Sequence, residues 1–312
     1  MDITKKFSTI LLGFILSTSL LIGTAMAGNS PLVSVKWLAN NINRSNMVIL
    51  DVSDFTHYEK NHIPGAVKAF GPWMTMNHDF VGFMMPKVSD LNSMIRSYGV
   101  NNNSFVVIYA EGVTAADTAK SARALWTLQA LGHNNTAILN GGFTAWERSG
   151  EAISTRAATP ALGNFSGTLK KGMVVSFADV QSELHSPGVT FVDTRLPEQY
   201  FGKEKNSEVA RFGHIPGSLL WPASYITNAG VNLSPSYFKD VKVLRQMAAG
   251  VGIPADKNAK IITYSNHGKS AALTYFVLHD ILGYRNVGIY DGSMLQYAVT
   301  KAPLNTFQWG GR

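Results

Sequence analysis

Ile261-Ile262-Thr263-Tyr264-Ser265-Asn266-His267-Gly268-Lys269-Ser270, running on into Ala271-Ala272-Leu273-Thr274-Tyr275-Phe276-Val277-Leu278, is the stretch on which the fold turns. The first four residues predict a buried strand, and the run after Ser270 predicts a helix. A strand that ends in a short glycine-containing loop opening a helix aims several backbone N–H groups at one point, where the helix dipole also favours negative charge. The loop is therefore a cradle for an anion or a seat for a nucleophile. Its first residue is a serine, and the chain has no cysteine in 312 residues, so thiolate chemistry by its own side chains is excluded.

An earlier segment repeats. Val48-Ile49-Leu50-Asp51-Val52-Ser53, then Tyr58 and His62-Ile63-Pro64-Gly65-Ala66, recurs as Thr190-Phe191-Val192-Asp193-Thr194-Arg195, then Tyr200 and His214-Ile215-Pro216-Gly217-Ser218. Leu131-Gly132-His133 with Ile138-Leu139-Asn140-Gly141-Gly142 likewise matches Leu282-Gly283-Tyr284 with Ile289-Tyr290-Asp291-Gly292-Ser293. Self-similarity at this long spacing predicts two like domains rather than a solenoid of short repeats.

These motifs resemble the rhodanese family, and specifically the tandem-domain thiosulfate and 3-mercaptopyruvate sulfurtransferases. The likeness rests on Asp193 to Arg195, the Gly213-His214-Ile215-Pro216-Gly217 turn, the loop from Ser265, and Tyr290-Asp291-Gly292-Ser293-Met294, in that order and largely duplicated. It implies an α/β fold, two domains each with a mostly parallel central sheet and helices on both faces. It also implies a cysteine in the C-terminal loop that carries sulfur as a persulfide. Here that position is Ser265, so persulfide transfer by the family route is expected to be lost.

Length and composition agree with two ordinary domains. The chain is 46% hydrophobic and 15% charged, a globular balance. Its net charge is +7; Lys5, Lys6 and Asp2 together carry +1, which leaves about +6 once residues 1–27 are set aside. Such a balance suits anionic ligands. No dense Lys/Arg stripe points to nucleic acid. Lys5-Lys6, the apolar run from Phe7 through Ile22, and Ala25-Met26-Ala27 read as a cleavable signal peptide, with a single membrane anchor as the alternative. The expectation is an exported, periplasmic protein with no stable membrane anchor after cleavage. Its expected partners are a small anion such as thiosulfate and a periplasmic redox or sulfur-carrier protein.

Ser34 to Asn43, Ala116 to Leu131 and a start at Ser176 predict helices, while Met47 to Asp51, Phe105 to Tyr109 and Val189 to Asp193 predict strands. Thr155 to Thr168, rich in Ala, Thr, Gly and Pro, predicts a connection. The resulting division is a signal peptide at 1–27, an inactive N-terminal domain at 28–154, a linker at 155–172 and a C-terminal domain at 173–312 bearing the cradle. Ala110 stands where the N-terminal domain would hold a nucleophile. Glu111 beside it reads as a solvated carboxylate.

Ser265 is the candidate central residue, and Asn266, His267, Gly268, Lys269, Ser270 and Arg195 are candidate anion ligands. His267 competes with an outward-facing reading, Lys269 with a solvated one, and Arg195 with a structural tie to Asp193. Gly268 answers the loop's need for a position free of Cβ clashes. Ser270 is placed to cap the following helix. Gln199 holds a place that is arginine in some thiosulfate-using members of the family. Trp221, Tyr225 and Met294 are candidate walls, with plain core as the alternative. A serine hydrolase would need an oriented base beside Ser265. No cofactor is implied, and no metal-ligand spacing, Rossmann fingerprint or Walker loop occurs.

Overall fold

A computed structural model describes residues 30–76, 82–228 and 234–310. The N-terminal half runs β1 (Leu32–Val33), α1 (Val35–Asn41), β2 (Met47–Asp51), α2 (Phe55–Lys60), β3 (Val67–Lys68), β4 (Thr75–Met76), β5 (Phe83–Met84), α3 (Val88–Ser97), β6 (Phe105–Tyr109), α4 (Ala115–Ala130), β7 (Thr136–Leu139) and α5 (Gly142–Arg148). The C-terminal half follows as β8 (Val174–Val175), α6 (Phe177–Glu183), β9 (Val189–Asp193), α7 (Pro197–Phe201), β10 (Leu219–Leu220), α8 (Val241–Gly250), β11 (Lys260–Tyr264), α9 (Lys269–Phe276), β12 (Val287–Tyr290) and α10 (Ser293–Tyr297).

Each half builds one five-stranded sheet, and every pairing within the two sheets is parallel. The strand orders are β1-β7-β6-β2-β3 and β8-β12-β11-β9-β10. They are the same order, so the repeat seen in the sequence is a repeat of topology. In both halves the central strand feeds the loop in question: β6 leads to Ala110 and β11 to Ser265.

Alternation along the strands divides the interior into layers. On β6, Phe105, Val107 and Tyr109 face one cluster with Ile49, Phe143 and Trp146, while Val106 and Ile108 face another. That second cluster also contains Leu125, Trp126 and Leu128 of α4 with Leu273, Phe276 and Val277 from the α9 region, and it reaches Ile261 and Ile289 of the other sheet. One continuous apolar layer therefore joins the two domains. The third cluster, with Phe191, Ile262, Tyr264 and Tyr297, covers the outer face of the C-terminal sheet.

The close contact of α4 with α9 is the axis of the molecule. Nearly every residue of α4 from Thr118 to Ala130 is buried, as befits a helix enclosed on all sides. Two polar links cross between the halves here: Arg123 Nη1 meets Asp291 Oδ1 at 2.5 Å, and Gln129 bridges Tyr275 and Asp280. The 155–172 stretch has no helix or extended strand, yet it is tied down. Gly163 and Phe165 donate to the carbonyls of Arg96 and Val100, and Phe165 is buried. The proposed signal peptide lies outside the described residues, and no described helix is long and apolar enough to cross a membrane.

Candidate functional site

Ser265 is the first residue after β11, and its side chain turns inward. Its hydroxyl accepts the Gly268 N–H at 2.9 Å, its own N–H donates to Ser293 Oγ, and its carbonyl accepts Met294 N–H. Only 3% of the residue is exposed. Gly268 has φ of +76°, and an added Cβ would lie 2.9 Å from Arg123 Nη1 and 3.1 Å from Asp291 O. The loop thus needs glycine twice over, for the left-handed turn and for the close approach of the interdomain ion pair.

Beyond Gly268 the helix opens with no acidic residue in its first turn and no capping side chain. Among the described residues, the N–H groups of Asn266, His267, Lys269 and Ser270 have no acceptor, as the first turn of a helix leaves them unless something supplies one. A cleft of about 230 Å³ stands over them, walled by Ser265, Thr194, Gln199 and Ser224 and, from the N-terminal domain, by Ala115 and Ala116. Lys269 also lines this cleft, and its ammonium has no hydrogen-bond or ion-pair partner among the described residues, although Asp54, Asp117 and Glu111 attract it from a distance. Burial, followed by the charge of Lys120, holds its pKa below the ordinary lysine value. An oxyanion here would meet backbone donors, the positive end of α9 and one unpaired cation.

The equivalent corner of the N-terminal domain is closed. Ala110 carries no polar side chain, and Thr114 and Asp117 form a capping box at the start of α4. Asp117 Oδ2 accepts the N–H groups of Val113 and Thr114 at 3.2 and 2.9 Å, so the protein's own carboxylate fills the place an anion would take.

The sequence candidates fall out unequally. Ser265, Asn266, Lys269 and Ser270 line the cleft together. Ser270 does not cap α9: the cap position is Gly268, whose left-handed turn starts the helix earlier and leaves Ser270 inside its first turn. His267 lines the rim but commits Nε2 to Glu208 at 2.7 Å, in the stretch Gly202 to Phe212 by which the C-terminal half lengthens the spacing between Tyr200 and His214 relative to Tyr58 and His62, and its ring meets the edge of Phe83. Arg195 reaches the cleft wall, but its Nε and Nη2 grip Asp193 and Nη2 also donates to Gly213 O. Burial opposes its charge, yet the neighbouring Asp193 outweighs this and raises the pKa; the pair is a structural tie. Trp221 and Met294 are fully buried core, whereas Tyr225 is half exposed. Glu111 is not solvated: it binds Lys120 at 3.1 Å and accepts the Asp54 N–H.

Among the described residues no histidine or carboxylate hydrogen-bonds the Ser265 hydroxyl, which accepts the Gly268 N–H, while His267 pairs with Glu208. Residues the sequence reading passed over include Asp117, Arg123, Glu208 and Asp291. The Thr114-x-x-Asp117 spacing is a legible capping signature. Arg123 stands as a lone charge in an otherwise apolar helix, which signals a buried partner.

A family model described as the rhodanese-like domain matches residues 34–149 and again 176–300. A Saccharopolyspora erythraea protein named "Putative thiosulfate sulfurtransferase" is 27% identical over 279 residues, covering 87% of this chain and 94% of its own length. A 3-mercaptopyruvate sulfotransferase, SseA from Escherichia coli, has a solved structure with TM-score 0.67 and 25% identity, matching 85% of this chain and 98% of its own. The anaerobic ergothioneine biosynthesis enzyme of Chlorobium limicola, solved with trimethyl histidine, shares the fold at TM-score 0.74 and 18% identity over 88% of this chain and 70% of its own.

Proposed function

The chain belongs to the rhodanese family, carrying the rhodanese-like domain in two copies, and from that premise we propose that it is an exported member that grips an anion, or an anionic group on a partner, without holding a persulfide. One observation carries this reading: a ring of open N–H donors and an unpaired lysine surround an alcohol where the family's chemistry needs a thiolate. A cysteine thiol near pKa ~8.5 can be driven to the thiolate by such a ring, whereas an alcohol stays protonated at neutral pH. With no cysteine anywhere in the chain, no other side chain can take over the sulfur.

The names of the relatives make thiosulfate the first ligand to try and 3-mercaptopyruvate the second. Export rests on the residue pattern of 1–27. A partner in the periplasm would be a sulfur carrier or redox protein presenting a charged sulfur group to the cleft.

Cyanide-dependent formation of thiocyanate from thiosulfate tests the loss of transfer. Purified protein should give none above the blank, and turnover comparable to a cysteine-bearing tandem rhodanese overturns the proposal. Calorimetry with thiosulfate, sulfate and phosphate tests the grip. Saturable binding weakened by Lys269→Ala is expected, and absence of binding at about 1 mM removes the anion from the reading. Export is tested by fractionating cells that express the full chain: a mature protein beginning near Gly28 in the periplasm is expected.

A further inference from the structure

A second cavity, of about 200 Å³, shares Lys269 with the cleft over Ser265 and shares none of its other walls. It lies between the domains. One side is apolar, formed by Phe70, Trp73 and Met74 of the segment after β3; the other carries Lys120, Arg123 and Lys269, with Asp54 the one acidic wall.

The cations differ in how far they are satisfied. Lys120 is held by Glu111, Asp54 and Asp117. Arg123 is 1% exposed; its Nη1 meets Asp291 and its Nε reaches Trp73 O, but Nη2 has no acceptor among the described residues. Lys269 has none at all among the described residues. A buried donor left without an acceptor costs roughly 1–3 kcal/mol, and Arg123 Nη2 is one; with the half-buried Lys269 beside the same apolar wall, it calls for a ligand that brings an acceptor of its own. Size restricts it further. An apolar cavity of roughly 150 Å³ takes up benzene, so this one admits a single ring with a short acidic arm. The ring has partners waiting: Trp73, the thioether of Met74, and Phe70, which is 54% exposed at the rim.

We propose that this interdomain cavity is a second binding site, for a small aromatic carboxylate whose ring lies against Phe70 and Trp73 and whose carboxylate meets Lys269 and Arg123. The inference does not depend on what occupies the Ser265 cleft. It does couple the two: a carboxylate on Lys269 neutralises the one free cation the cleft has, so filling either site weakens the other.

Calorimetric titration of the full chain with phenylacetate tests it, with benzyl alcohol as the uncharged comparison. Phenylacetate should bind saturably and benzyl alcohol at least about tenfold more weakly. Lys269→Met should weaken phenylacetate about tenfold or more, and Phe70→Ala, at an exposed rim position that spares the core, about threefold or more. Asn266→Ala, which alters a wall of the Ser265 cleft and none of this cavity, should leave phenylacetate affinity unchanged. No saturable phenylacetate binding up to about 10 mM overturns the site. So does affinity indifferent to either Lys269→Met or Phe70→Ala, and so does a loss caused by Asn266→Ala, which would place the carboxylate in the cleft instead.

Discussion

Two corners of this molecule, β6 with the head of α4 and β11 with the head of α9, are built from the same parts and end in opposite states. In each, a histidine donates through Nδ1 to the carbonyl of the tyrosine it stacks on, His62 on Tyr58 and His214 on Tyr200. In each, the tyrosine closing the central strand accepts the following isoleucine N–H, Tyr109 from Ile63 and Tyr264 from Ile215. The loop carbonyl of Ala110 or Ser265 accepts the N–H at the head of α5 or α10. The scaffolds share these bonds, and the main difference lies in the charges placed on them. Asp193 is gripped by the Arg195 guanidinium, whereas Asp51 has no ion-pair partner among the described residues: its Oδ1 accepts the Ser53 N–H, and Tyr109 lies beside it. The head of α4 is filled by Asp117, and the head of α9 is open. Duplication has kept the frame and moved the electrostatics, so one corner is closed by the protein's own carboxylate and the other stands open.

The sharpest way to break this contrast is to neutralise the two strand-end carboxylates in turn. Asp193→Asn leaves Arg195 buried without its counterion and should cost about 3–5 kcal/mol in denaturant unfolding. Asp51→Asn should raise the unfolding midpoint at neutral pH, because burial holds the Asp51 pKa above its ordinary 3.8. The sign follows from linkage: as pH rises past the unfolded value the unfolded chain releases this proton first, so stability falls up to the raised folded value, and the asparagine removes that loss. Equal destabilisation by both substitutions would erase the distinction drawn here.

Asp117→Ala carries the contrast to the helix heads. It should cost about 1 kcal/mol through the lost cap and, by freeing the Val113 and Thr114 N–H groups, make sulfate stabilise the variant more than the parent. An unchanged response to sulfate would mean that the N-terminal corner is closed by its shape and not by its own carboxylate. The smallest effect concerns pH. With the Lys269 pKa held below 10.5 by burial and by Lys120, anion affinity at the Ser265 cleft should begin to fall at a lower pH than a solvated lysine would give. In Lys269→Met the same titration should be flat across that range. A further pH effect belongs to His214, which burial holds below 6.5; below that pH the unfolded chain takes up a proton the folded one refuses, so stability drops and His214→Asn should shallow the slope.

Much of the frame could be read directly, because it is written in local chemistry. Val48 to Asp51, Phe105 to Tyr109 and Val189 to Asp193 are short apolar runs stopped by polar residues, and Ser34 and Ser176 sit just before their helices and do accept the capping N–H groups. Ser270 has the same chemistry and fails, because the left-handed Gly268 has already begun the helix and set the serine two positions past the cap. Ser265 was legible from its place in the loop. Arg123, Asp291 and the N-terminal walls of the cleft were not, because they meet only when α4 docks on α9, across more than 150 residues of chain; Arg123 and Asp291 are separated by 168 positions. Glu111 differs from its reading as a solvated carboxylate for a local reason: its partner Lys120, nine residues on, lies along a helix whose orientation a loop pattern does not carry.

The apolar layer shared by α4, α9 and both sheets has a consequence for the evolution of such a chain. Half the molecule, expressed alone, would bare the entire docking face of its long helix, and the cheapest cover for that face is another copy of the same half. A gene fused from two copies makes the embrace permanent, and only then can one copy lose its chemistry while still being indispensable as the other's wall.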